Sequence, residues 1–247
     1  MEGALTSLGA WDSAAALELG AALLKEPSYA LSSLAYIVAA GFSRSAPVPY
    51  VVLVAGIGVG SVVQHGPDPS FADLAHDIPL AGILVFVAAD AAAALTGNSR
   101  RWWWWAAPLA ALVPTILIAP LAADLVQVGM AAIAIALMLA RARTEPDARR
   151  RILLGIGLLA VGGSIGRLSE AGWPLHTPDA IIQGHDIWHL LSAAALVVLA
   201  PLVGRHRGSL RAEQLHGPSK AEEPRAASVT ARRRSASNWA TRSAPAS

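Results

Sequence analysis

Two histidines stand four residues apart in GHDIWHLL, His185 and His189, at the entrance to a long apolar run. Residues at that spacing share one helix face. The same spacing recurs in GSVVQHGPDP, where Ser61 and His65 face one way and Gly66 and Pro67 end the helix directly after. Three imidazoles, in a chain with no cysteine, suit a tetrahedral zinc site with one position left open for water. Zinc brings the pKa of such a water down to about 7 and polarises a bound carbonyl, so an amide or ester is the natural target. Asp77, in the HDIP that opens the next apolar run, is placed to cap a helix and to accept or orient the water's proton. Ser61 is placed to hydrogen-bond the water, the ligand or a developing oxyanion.

Such residues need elements that carry them. Of the 247 residues 54% are hydrophobic and 15% charged, which is too apolar for one water-soluble core. Continuous apolar runs fall at 28–43, 47–65, 78–97, 102–118, 121–140, 151–167 and 186–204. Each approaches the roughly 20 helical residues that cross a hydrocarbon layer of about 30 Å. The runs do not alternate, so helices are expected rather than barrel strands. The expected fold is all-α, a polytopic bundle of seven transmembrane helices over 28–204. An extracytoplasmic segment, 1–27, precedes it, and a basic tail rich in Ser, Ala, Pro and Arg, 205–247, follows and is expected to be disordered. No secretory signal is expected in a start that carries Glu2, Asp12 and Glu18.

Arginine placement orients the bundle. Arg44, Arg100 and Arg101, the group Arg141, Arg143, Arg149, Arg150 and Arg151, and Arg205, Arg207 and Arg211 all fall in alternate loops. The opposite set holds only Lys25 and Arg167. Basic residues stay on the cytoplasmic side, so the N-terminus is expected outside and the C-terminus inside a cell membrane. Trp102–Trp105 would then form an interfacial belt at the cytoplasmic end of the fourth span. Ser61, His65, Asp77, His185 and His189 would all gather in the outer layer. Ionisable groups at such depth are functional leads. Singly, HxxxH at a helix start also suits two interfacial histidines, and Asp77 a plain cap. Asp90 and Asp124 lie within spans and either bond to neighbouring helices or line a cavity. His76 and His176 are read as loop residues, His206 and His216 as cytoplasmic, and Arg167 with Glu170 as a pair closing the sixth span. The basic tail suits anionic lipid heads, while nucleic-acid binding has no aromatic or motif support.

Set in order, these residues resemble the alkaline ceramidases and the wider CREST superfamily, which includes progestin and adipoQ receptors and haemolysin III type proteins. The resemblance runs from Glu26 to about Ala200. It is carried by EPSYALSSLAYIVAAG in the first span, SVVQH at Ser61–His65, HDIP, RLSE at Arg167–Glu170, and HDIWH at His185–His189. It implies seven helices and a zinc held by His65, His185 and His189, with the serine and aspartate beside the metal's water. The family aspartate falls at His76 or Asp77 according to the loop alignment. The resemblance also implies calcium bound by acidic residues of the N-terminal segment. Glu26 matches the position before the first span, but Asp12 and Glu18 do not reproduce the rest. The expected activity is zinc-dependent hydrolysis of the amide of an N-acyl, ceramide-like membrane lipid to release a fatty acid. The rival is a zinc-containing, receptor-like lipid binder without turnover. Haem ligation suits histidines clustered on only two helices less well than a small metal.

Overall fold

The computed structural model describes residues 24–175, 180 and 182–205. The chain divides into two units, residues 1–206 and 207–247, and the second lies wholly outside the described residues. The expectations for 1–23, for the tail, and for His176, His206 and His216 therefore fall outside them too. Every regular element described is helical. These are α1 (Pro27–Ser32), α2 (Leu34–Phe42), α3 (Val48–His65), α4 (Ala72–Thr96), α5 (Trp103–Ile118), α6 (Pro120–Thr144), α7 (Pro146–Leu168) and α8 (Gly184–Leu199), with a 3₁₀ turn at Ala200–Leu202. Each expected apolar run coincides with a helix or, for the first, with the pair α1 and α2. Among the described residues, α3, α4, α6, α7 and Gly184–Leu202 are long and apolar enough to cross a membrane. Pro27–Phe42 and Trp103–Ile118 are shorter apolar helices.

The break between α1 and α2 has a local cause. The Ser32 hydroxyl donates to the Tyr29 carbonyl at 3.1 Å, and the Ser33 hydroxyl donates to the same oxygen at 2.6 Å. Serine hydroxyls that compete for helix carbonyls bend the ladder. Buried Tyr50, Val54, Ile57, Phe86 and Leu196 form the centre of the core, on α3, α4 and α8. The Tyr50 hydroxyl donates to the Leu196 carbonyl at 2.7 Å, so this polar tip is satisfied inside. On α7, Gly155, Gly162 and Gly166 let Leu199, Leu191 and Trp188 of α8 lie directly on the backbone. Small residues permit such close helix approach in membranes.

The third apolar run starts later than its helix. Helix α4 begins at Ala72, so Asp77 is not its cap and His76 is not in a loop. The apolar count stops at the polar turn ADLAHD, but the backbone does not: Asp73 lies in the first turn, where a negative charge complements the helix dipole. Pro79 sits inside the helix and has no N–H for the Ala75 carbonyl. Helix α3 crosses there through Gly60, whose added Cβ would lie 2.1 Å from that oxygen. Gly60→Ala must therefore push α3 and α4 apart. The expected loss is about 1–3 kcal/mol, read as earlier thermal unfolding in detergent.

At the end of the bundle opposite the histidines, charges close on one another. Asp90 on α4 is 1% exposed and accepts from Arg100 at 2.7 Å, Arg141 at 3.3 Å and the Gly204 N–H at 2.9 Å. Arg141 also donates to Glu145 and to the carbonyls of Leu202 and Arg205. The expectation that Arg141 belongs to a connecting loop is thus corrected: it lies in α6, 1% exposed. Asp90 bonds to its neighbours rather than lining a cavity, and Asp124 is exposed on α6. Trp102 and Trp103 at the start of α5 are exposed, while Trp105 packs edge-on against Phe86.

Candidate metal centre

Three helix ends meet, the start of α1, the end of α3 and the start of α8. Helix α3 finishes with His65, and its last carbonyls would lack partners. The Lys25 N–H donates to the Gly66 carbonyl at 2.9 Å and the Glu26 N–H to the His65 carbonyl at 2.7 Å. The strand of chain before α1 is thereby tied to the end of α3. The Lys25 ammonium lies 2.8 Å from Asp68, which holds the Lys25 pKa above its usual value. Helix α8 starts at Gly184 because Gln183 and Asp186 cap it reciprocally, the Gln183 N–H donating to Asp186 Oδ2 at 2.8 Å. The Tyr29 hydroxyl donates to the Gln183 side chain and links α1 to that cap.

His65, His185 and His189 come together here, with one ligand nitrogen of each within 4.8 Å of the others. The rings of His185 and His189 have centroids 4.5 Å apart, and that of His65 is 5.1 Å from His185. Tyr29 packs against both His65 and His185. Two of the rings are oriented from behind. His65 Nδ1 lies 2.6 Å from Glu26 Oε2, to which its N–H donates, leaving Nε2 for the cluster. His189 Nδ1 lies 2.9 Å from the Ser32 hydroxyl. That hydroxyl's proton is engaged with the Tyr29 carbonyl, so His189 Nδ1 carries the hydrogen and its Nε2 keeps the free pair. Metal-binding histidines characteristically donate their other N–H to a carboxylate or similar acceptor.

The donor set fits a metal on a second count. Among the described residues, His65 Nε2 and the Ser61 hydroxyl are both buried and have no hydrogen-bond partner. Buried polar atoms are nearly always paired, so two orphans on one face of α3 mark the place of a further group. Three neutral nitrogens and no thiolate suit zinc, which takes three histidines in open catalytic sites. Asp77 accepts from His76 Nδ1 at 2.8 Å, so the two neighbours form one hydrogen-bonded unit. The pair adjoins the turn of α3 that carries Ser61: a Cβ added at Gly60 would lie 2.7 Å from the His76 Cα.

Tyr29, Ser32, Gln183 and Asp186 were not assigned roles from sequence, and Glu26 was not placed beside His65. A signal was present: Glu26, Tyr29, Ser33 and Tyr36 recur at three and four residues, a polar stripe on an otherwise apolar first span. Tyr36 continues it against Ser192 at 2.6 Å. Glu26 holds His65 through Oε2. Glu26→Gln is expected to weaken zinc retention about 10- to 100-fold, the usual effect of losing an outer partner, measured by chelator competition.

An apolar cavity of about 240 Å³ lies between α4, α6, α7 and α8, with Ile83, Met138, Ile156, Trp188 and Leu199 in its walls. Trp188 stands on α8 between the two histidines in sequence. Arg167 and Glu170 pair at the end of α7 as expected, with Arg167 also over the Trp173 ring at 5.1 Å. No family model matches this chain, and no curated protein matches it.

Proposed function

We propose that this chain is a zinc-dependent membrane amidohydrolase of the ceramidase-like branch of the CREST superfamily, crossing a cell membrane seven times with its N-terminus outside. The observation that carries the reading is the trio His65, His185 and His189 beside two buried polar atoms without partners, Ser61 Oγ and His65 Nε2. His65, His185 and His189 would hold the metal. Bound there, zinc supplies Lewis acidity and makes water nucleophilic near neutral pH. The substrate class is an N-acyl lipid, whose apolar chain suits the cavity beside Trp188.

The chain's own groups divide the remaining work. The Ser61 hydroxyl donates to the carbonyl oxygen as charge develops on it. Asp77, held by His76, accepts the proton of the attacking water and returns it to the nitrogen as the C–N bond breaks, giving a fatty acid and a free amine. Glu26 and Ser32 fix the imidazoles and touch no reacting atom. The orientation rests on Arg44, Arg101, Arg143, Arg149, Arg150 and Arg151, which remain exposed at the end away from the histidines.

The test is fatty-acid release from a panel of N-acyl lipids in mixed micelles by zinc-loaded protein. Ser61→Ala is expected to lower the rate about 100-fold and Asp77→Asn about 100- to 10,000-fold. Intact lipid bound without turnover across the panel would instead support the receptor-like reading.

A further inference from the structure

The second cleft lies far from the histidines in character. It measures about 360 Å³ and opens between the ends of α6 and α7, lined by Leu139, Ala142 and Arg143 on one side and Arg149 and Leu153 on the other. Both arginines are exposed, and neither has an ion-pair partner among the described residues. The nearby carboxylates do not answer them. Glu145 is engaged by Arg141 at 3.0 Å. Asp147 stands two residues from Arg149, and positions two apart on a helix do not face each other.

These two helices are also the least enclosed of the long ones. Only 17% of the apolar window of α6 and 22% of that of α7 is buried, against 56% for α4. Leu125, Val128 and Ile133 on α6, with Leu154 and Val161 on α7, are exposed along the same pair. A membrane supplies acyl chains to cover such faces. At the mouth of the cleft, however, two uncompensated guanidiniums meet an apolar floor, and a zwitterionic headgroup neutralises only part of that charge.

We propose that the α6–α7 cleft binds an anionic phospholipid, its phosphate between Arg143 and Arg149 and one acyl chain running down over Leu139 and Leu153. Guanidinium forks match phosphate oxygens in pairs, and basic pockets between membrane helices select acidic headgroups. The proposal rests on α6 and α7 crossing a membrane and is independent of the metal centre.

Native mass spectrometry of the full chain in detergent, offered equal amounts of dioleoyl phosphatidylglycerol and dioleoyl phosphatidylcholine, tests it. Each basic side chain near an anionic headgroup contributes roughly fivefold, so about 25-fold preference for the glycerol lipid is expected. Arg143→Gln with Arg149→Gln should remove that preference, Arg143→Lys with Arg149→Lys should keep most of it, and Arg44→Gln, at an exposed arginine outside the cleft, should leave it intact. Thermal unfolding of all three should match wild type, since the side chains are exposed. Equal binding of the two lipids by wild type, or a preference surviving the double glutamine change, overturns the proposal. Complete displacement by millimolar glycerol phosphate would show a site for soluble anions and overturn the lipid assignment.

Discussion

His189→Ala protein, purified beside wild type and washed with a mild chelator, will carry no zinc where wild type keeps about one ion per chain. The loss should exceed the about 10- to 100-fold that removing an outer partner costs, because His189 is one of only three nitrogens in the set. His185→Ala should behave alike. Fatty-acid release should fall below detection in both. Folding is read separately: His189 is 2% exposed and its ring packs on Tyr36 and His185, so His189→Ala should melt below chelator-treated wild type, while His189→Gln, which keeps most of the volume, should melt near it and still hold no zinc. A folded wild type that holds no metal under the same wash would reduce His185 and His189 to interfacial histidines and take the hydrolase proposal with it.

Asp90→Ala will be the most damaging substitution away from the histidines. The carboxylate is almost fully buried and serves two guanidiniums and the Gly204 N–H together. Removing it takes one of the two carboxylates that buried Arg141 pairs with and the carboxylate that Arg100 pairs with, and breaking a buried pair costs about 3–5 kcal/mol. Glu145→Ala is the internal comparison. Its side chain is 20% exposed and it holds one bond to Arg141, so about 1 kcal/mol is expected. Unfolding midpoints of the two variants in one detergent give the ranking. Equal midpoints would show that the Asp90 cluster does not act as a closed unit.

The helices were legible because apolar runs in lipid have only a few structural solutions, and the ends marked by Gly66 and by the basic loops were legible for the same reason. What escaped depends on partners distant in sequence. Hydropathy ends where ADLAHD begins, so α4 was read six residues short and Asp77 became a cap instead of an interior residue beside His76. Arg141 was read as a loop residue because nothing local announces Asp90, 51 positions earlier. The three histidines that meet were readable at HxxxH and SVVQH, since a spacing of four fixes a shared face. Their orienting partners were not. Glu26 meets His65 across 39 positions, and only folding brings them together.

The contact between Ser32 and His189 spans 157 residues, and that between Tyr29 and Gln183 spans 154. The bundle is therefore clasped at the site by the earliest and latest of the described helices. At roughly 5–20 residues per second of synthesis, the first half of the clasp waits about 8–30 s for the second. During that interval His65 has Glu26 but neither His185 nor His189. The histidine trio is accordingly a late product of synthesis, and a chain interrupted before Gly184 carries His65 with Glu26 but neither of the other two imidazoles.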